Sequence, residues 1–272
     1  MKNRAAIFAA AWIAACSLSA AADTAPTVAP KRTVVDGAPV KSVLWVGTSF
    51  FYFNNGFEAF MRGLANAAGD GLAAVNTIAT IGAAGIDAHD VDAYLKPDSK
   101  IGAYTFLPNN EVRFEPPGRR YDTVVLLDCS QCPIHPQLKG IFQDYAKRDS
   151  DIARKYGVRP VFFMSWAYKD KPEMTAQLAD AYTTAANAND ALVIPAGLAF
   201  ARSMSTRPDL ELYQPDKRHP SRAGTYLAAC TAYATLTGQS PVGNKFDAGL
   251  GPEVAGFLQQ VAWDSARAYF GK

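Results

Sequence analysis

Five short apolar runs, Val43–Gly47, Ala74–Ile81, Thr123–Leu127, Pro160–Ser165 and Ala191–Pro195, recur along the chain with helix-length stretches between them. Strands that alternate with crossover-length segments build a parallel sheet covered on both faces, and near-continuous apolar strands belong in its buried middle. The intervening stretches predict helices over Gly56–Ala68, Leu138–Tyr156, Pro172–Asn189, Arg222–Thr237 and Pro252–Phe270. Pro172 and Pro252 stand where a first helical turn tolerates proline. In the last helix Val254, Phe257, Leu258, Val261 and Ala262 make one apolar stripe, expected to pack on the sheet. The segment Lys96–Arg120 fits this alternation poorly, because its prolines and Asn109-Asn110 suggest a two-stranded excursion outside the sheet. Such an insertion either helps to choose substrates at the mouth of a site or is a plain surface loop.

The start of the chain reads as an address. Lys2 and Arg4, the apolar run Ala5–Ala15 and the small residues up to Ala22 form a secretory signal over 1–22. Cleavage after Ala22 would release a periplasmic or secreted protein. Ile13-Ala14-Ala15-Cys16 also resembles a lipobox, which would leave a membrane lipoprotein anchored through Cys16. Residues 23–40, rich in Pro, Ala and Thr, are expected to be a flexible leader or tether. Residues 41–272 form one domain, since neither a second linker nor an internal repeat divides them.

Charge excludes one class of partner. With 27 basic and 25 acidic residues and no basic run, the chain has no nucleic-acid footprint. Cys129 and Cys132 form a C-x-x-C, read as a local disulfide in an oxidising compartment, and Cys230 reads as a buried apolar residue. His89 with Asp87, Asp90 and Asp92 lacks metal-site spacing, so neither a metal nor a cofactor is expected.

Two stretches carry the chemistry. The first strand stops at Gly47-Thr48-Ser49, which puts Ser49 at the carboxyl edge of a parallel sheet, where α/β folds bind ligands. Far along the chain, Asp216-Lys217-Arg218-His219-Pro220 places a carboxylate three residues before an imidazole, in a loop, because Pro220 delays the helix to Ser221. An aspartate can orient a histidine that activates a serine, and the pairing suggests an esterase. Read separately, each stretch also fits an ordinary turn, with Ser221 capping the helix that follows.

Together, these two blocks resemble those of the SGNH (GDSL-like) hydrolases. The run Asp216 to Cys230 and the later Thr235-Leu-Thr-Gly-Gln-Ser-Pro are similar to a bacterial branch whose first block reads Gly-Asn-Ser. The similarity spans Lys41–Gly243 and is strongest at the two ends. It implies a three-layer α/β/α, flavodoxin-like fold around a parallel sheet of about five strands. It also implies Ser49 as nucleophile, His219 as general base and Asp216 as its orienting carboxylate.

The family's oxyanion hole would use the amide of Ser49 and a second-block amide, Gly85 or Gly82, with Ala83 also able to serve. Its third donor, an asparagine, is missing after Leu127. Gln131 stands at its place, while Asp128 or Ser130 could point into the site instead. Thr48 replaces the acidic residue of the usual first block. Phe50 and Tyr52 from the run Phe50-Phe51-Tyr52-Phe53, together with His89 and Trp166, are expected to touch substrate, although a core or lid role is the more common one for such a run. His135 is read as a loop residue near the rim, and Asn54-Asn55 as turn and helix cap.

The expected activity is hydrolysis of a small acyl ester, with acetyl groups on carbohydrate as the substrate suggested by analogy. A lipid esterase or thioesterase is the alternative, and an inactive carbohydrate-binding protein of the same fold is a second. A redox protein built on Cys129 and Cys132 is a third.

Overall fold

The computed structural model describes residues 26–69 and 75–272. Five parallel strands form the main sheet: β1 (Ser42–Gly47), β2 (Val75–Thr80), β5 (Thr123–Leu126), β6 (Arg159–Phe163) and β7 (Leu192–Ile194), in the order β2-β1-β5-β6-β7. Alternation decides which side chain faces which layer. Val43 and Trp45 of β1, Val125 of β5 and Phe163 of β6 join one core with α2 (Phe57–Ala68), α6 (Ala196–Thr206), α7 (Arg222–Thr237) and α8 (Pro252–Tyr269). Leu44, Val46, Val124, Leu126 and Phe162 join the other with α3 (Val91–Leu95), α4 (Lys139–Lys155) and α5 (Met174–Ala188). The result is a three-layer α/β/α arrangement with β5 at the centre of the sheet and β1 beside it.

Besides a four-residue turn of helix at Ser49–Tyr52, two helices escape the sequence reading. The five-residue α3 is too short to carry periodicity, and α6 follows β7 directly with an alanine-rich face. The stripe on α8 packs chiefly on α6 and α7 rather than on the sheet, because α7 already lies buried beneath the strands. Pro252 opens α8, whereas Pro172 sits in the turn before α5. Gly224 lets α7 start close to its neighbour, since a Cβ there would lie 2.3 Å from the Leu212 carbonyl oxygen.

The Lys96–Arg120 excursion forms an antiparallel pair, β3 (Tyr104–Phe106) and β4 (Val112–Phe114), turned through Asn109 and Asn110 at positive φ. Its anchors place it at the amino edge of the main sheet: Tyr121, two residues before β5, donates to the Ile101 carbonyl, and Arg119 donates to the Gly157 carbonyl just before β6. That edge is opposite the one where β1 ends at Ser49, so the excursion does not frame the Ser49 site.

The expected flexible leader needs correction over its described part. Residues 26–40 have no regular secondary structure, yet they form a strap across the amino edge. Thr27 and Val28 bond Asp180, Lys31 bonds Asn187 and Arg32 pairs with Asp190. Arg159 then donates to the carbonyls of Asp36 and Ala38, and the amides of Lys41 and Ser42 bond Asp122 as the chain enters β1. Val40 is buried. Polar composition gave no periodic signal, but side chains of later elements satisfy the strap's backbone groups. The signal segment 1–22, with Cys16, lies outside the described residues, as does Ala74 at the expected start of the second strand.

Candidate active site

Parallel pairing carries the ends of β1 and β5 to one edge, and the loops there assemble the site. β1 ends at Gly47, where a Cβ would lie 2.9 Å from Leu127 Cβ, so the two strand ends meet tightly. Thr48 caps a four-residue helix, α1 (Ser49–Tyr52), by accepting from the Phe50 amide. Ser49 is therefore the first residue of a helical turn rather than part of an irregular loop.

Ser49 Oγ lies 2.8 Å from His219 Nε2. On the other side of the ring, Nδ1 bonds Asp216 Oδ2. A carboxylate only accepts, so Nδ1 carries the ring proton and Nε2 accepts from the serine hydroxyl. Asp216 Oδ1 accepts the amides of Arg218 and His219, both at 3.0 Å, closing the turn that the spacing of the two residues suggested. Desolvation alone would raise the Asp216 carboxyl, but the bond to His219 and those two amides outweigh it and hold the group down at about 2. It stays charged beside the imidazole throughout the neutral range.

The loop that carries this pair is held from both flanks. The Gln214 amide donates to the His219 carbonyl at 2.8 Å, and Lys217 takes a left-handed φ of 64° to make the turn. Trp166 Nε1 donates to the Arg218 carbonyl at 2.9 Å, and the Lys169 amide donates to that of Lys217 at 3.0 Å. Asn54 Nδ2 donates to both the Pro220 carbonyl and Thr225 Oγ1, tying the segment after Ser49 to the segment after His219. Asn54 and Asn55 are thus not the cap of α2, whose N-cap is Gly56. Ser221 caps α7 by accepting from the Gly224 amide.

Three side chains expected at the substrate are instead buried. Trp166 is 1% exposed, stacked flat between Phe50 and Phe200 at 4.6 and 4.2 Å. Phe50 also meets His219 edge-on, because α1 turns its first aromatic inward. His89 is buried too; its Nε2 donates to the Gly47 carbonyl at 3.0 Å, so Nδ1 accepts from the Tyr94 hydroxyl. Burial lowers the His89 pKa against the opposing pull of that carbonyl and Asp87, so it is a neutral brace under the end of β1. Tyr52 is half exposed, one turn from Ser49. Phe53, read from the sequence only as one of four aromatics with a groove, core or lid role, stacks on the His219 ring at 4.1 Å. The aromatic run signalled it, but only the turn of α1 decides which ring faces the imidazole.

Among the oxyanion candidates, Gly82 is exposed in open space and Ala83 beside it has a φ of 58°. Gly85 is more enclosed, since a Cβ there would lie 2.5 Å from Asp87 Oδ1 and 3.2 Å from Asp128 Oδ1. The Gln131 side chain is exposed, while its carbonyl accepts the amides of Ile134 and His135. Asp128 turns inward to accept the amides of Ile86 at 2.8 Å and Cys129 at 2.7 Å, which joins the second loop to the third. Ser130 Oγ meets the Tyr168 hydroxyl at 2.7 Å, and the Tyr168 ring packs beneath Arg218. Cys129 and Cys132 form a disulfide, and Cys230 is buried.

Comparison with solved structures places this architecture. A protein from Slackia heliotrinireducens assigned to the SGNH hydrolases shares 24% identity over 72% of this chain and 99% of its own, with a TM-score of 0.52. A DUF4886 family protein from Bacteroides uniformis aligns at 18% identity over 82% of this chain and 93% of its own, with a TM-score of 0.55. An acetyl-xylooligosaccharide esterase from Geobacillus aligns at 14% identity over 73% of this chain and 94% of its own, with a TM-score of 0.51. No family model matches the sequence, and no curated protein does. The fold is that of the SGNH hydrolases.

Proposed function

We propose that the chain is an exported serine esterase of the SGNH type. The observation that carries the reading is the continuous relay from Ser49 Oγ through both nitrogens of His219 to Asp216. In this mechanism Ser49 attacks the ester carbonyl while Nε2 of His219 takes its proton, and Asp216 balances the imidazolium that forms. The oxyanion is held by the Ser49 amide and an amide of the Gly82–Gly85 loop, with Gln131 as a side-chain donor. His219 returns the proton to the leaving alcohol, and water then releases the acid by the reverse steps.

A small acyl group on carbohydrate is the substrate class we favour. The half-exposed Tyr52 beside Ser49 offers a ring face to a sugar. The likeness to an acetyl-xylooligosaccharide esterase points the same way. Hydrolysis of p-nitrophenyl acetate tests the reaction: kcat/KM of the wild type should exceed that of Ser49→Ala by at least about 10³. Equal traces from the two proteins would overturn it. Acetate release from acetylated xylo-oligosaccharides, compared with hydrolysis of a long-chain ester, tests the substrate class.

A further inference from the structure

Beside the serine relay, the third loop holds a second cluster that ester hydrolysis leaves unused. A carboxylate oxygen of Asp128 and the sulfurs of Cys129 and Cys132 lie within 4.8 Å of one another. Within it the two sulfurs differ. Cys132 is buried at 7% exposure, whereas Cys129 is half-buried and within reach of solvent. The amide of Cys132 donates to Cys129 Sγ at 3.0 Å, a bond that would stabilise a thiolate on that sulfur. Asp128 is 2% exposed, and its Oδ1 is fixed by the amides of Ile86 and Cys129.

We propose that Cys129–Cys132 is an exchangeable disulfide, with Cys129 attacked by an external dithiol and Asp128 handling the proton of Cys132, and that its redox state governs the adjoining ester site. The thiolate of the dithiol attacks Cys129 Sγ, forming a mixed disulfide and breaking the Cys129–Cys132 bond. Cys132 leaves as a thiolate and takes a proton from the Asp128 carboxyl. The second thiol of the reductant then loses its proton to solvent and attacks its partner sulfur. Cys129 leaves as a thiolate, held by the Cys132 amide. Two electrons pass from the dithiol to the cysteine pair, and the reductant becomes a disulfide.

The surroundings suit that role. Burial pushes the Asp128 carboxyl up; the Ile86 and Cys129 amides pull it back and Asp87 adds to the rise, leaving it at about 6, so a minority of molecules carry its proton at pH 7, a far larger share than for an ordinary aspartate. The charged and titratable neighbours facing it are Asp87, on the second loop, and the Tyr182 hydroxyl of α5, which accepts from the Asp128 amide at 3.3 Å. Coupling to the ester site runs through the same loop. Gln131 lies inside the four-residue ring that the disulfide closes, and Ser130 reaches Tyr168, whose ring lies beneath Arg218 beside His219. Opening the ring frees that loop.

The coupling half rests on the esterase reading; the exchange half does not, and it is measured without an ester. Folded protein is treated with dithiothreitol, quenched with an alkylating agent at intervals and weighed by mass spectrometry, with Ser49→Ala alongside. The expected result is opening in the native state, at equal rates in the two proteins. Asp128→Asn, whose carbonyl can keep both amide bonds, should open about 10²-fold more slowly at pH 7. In Cys132→Ser, glutathione disulfide should form its adduct on Cys129. A disulfide that opens only in denaturant, or an Asp128→Asn protein that opens at the wild-type rate, overturns the exchange mechanism. Reduced wild type, freed of reductant before assay, should hydrolyse p-nitrophenyl acetate several-fold more slowly and recover on reoxidation. Unchanged hydrolysis in an active enzyme would overturn the coupling.

Discussion

His219 is oriented by more than its carboxylate. Asp216 fixes Nδ1, Phe53 covers one face of the ring, and Phe50 meets it edge-on, so the imidazole has little freedom to turn away from Ser49. Replacing Asp216 by Asn removes the acceptor that sets the tautomer while preserving most of the shape. On the proposed mechanism, Asp216→Asn should lower kcat by about 10²- to 10⁴-fold with little change in KM, as measured on p-nitrophenyl acetate. A pocket role for Asp216 would instead raise KM. The positions of Ser49, Asp216 and His219 were legible in the sequence because short local spacing and a strand end confine each of them. The burial of Trp166 and His89 was not, since each depends on long-range packing: Trp166 is placed by Phe200 and by a carbonyl 52 residues away, and of the aromatic run only a general core role could be read.

Among the elements, α7 does most to deliver the histidine loop to Ser49. The helix begins three residues after His219, capped by Ser221 and lodged against the Leu212 carbonyl through Gly224. A methyl group has no room there, so Gly224→Ala must push the start of α7 away from the strand-like segment at Leu212. Urea denaturation should show a loss of about 1–3 kcal/mol, with a fall in ester hydrolysis as the loop shifts. An unchanged midpoint would mean that the neighbour yields freely. Strong strands and long helices were read from periodicity alone. The short α3, and α6 with its small residues, were lost because neither offers enough turns or bulk to leave a signal. The excursion was foreseen as an antiparallel pair turned at Asn109-Asn110, but its side of the sheet depends on anchors at Gly157 and Ile101 that no local pattern encodes.

At the scale of the whole molecule, one buried group works against stability. Asp149 on α4 is fully buried, and both its carboxylate oxygens lack a hydrogen-bond partner among the described residues. Burial raises its pKa to about 7; Arg148 opposes that rise and Asp90 adds to it. The folded state therefore keeps a proton that the unfolded chain gives up near its ordinary value. The group's contribution is full below about pH 4 and is lost as pH rises through 7. Asp149→Asn should be more stable than wild type by an amount on the order of a few kcal/mol above pH 7, with the difference shrinking towards pH 4 in paired thermal melts. A constant difference across that range would assign the effect to packing instead.

The strap also has a mechanical side. Its bonds run in sequence from Asp180 through Asn187 and Asp190 to Arg159 and Asp122, and only then does the chain become β1. Tension applied upstream of Pro26 would peel these attachments off singly, as a zipper opens, before any load reached β1. The strap would thus yield first, and the Ser49 edge at the far end of that strand would be among the last places to feel the pull.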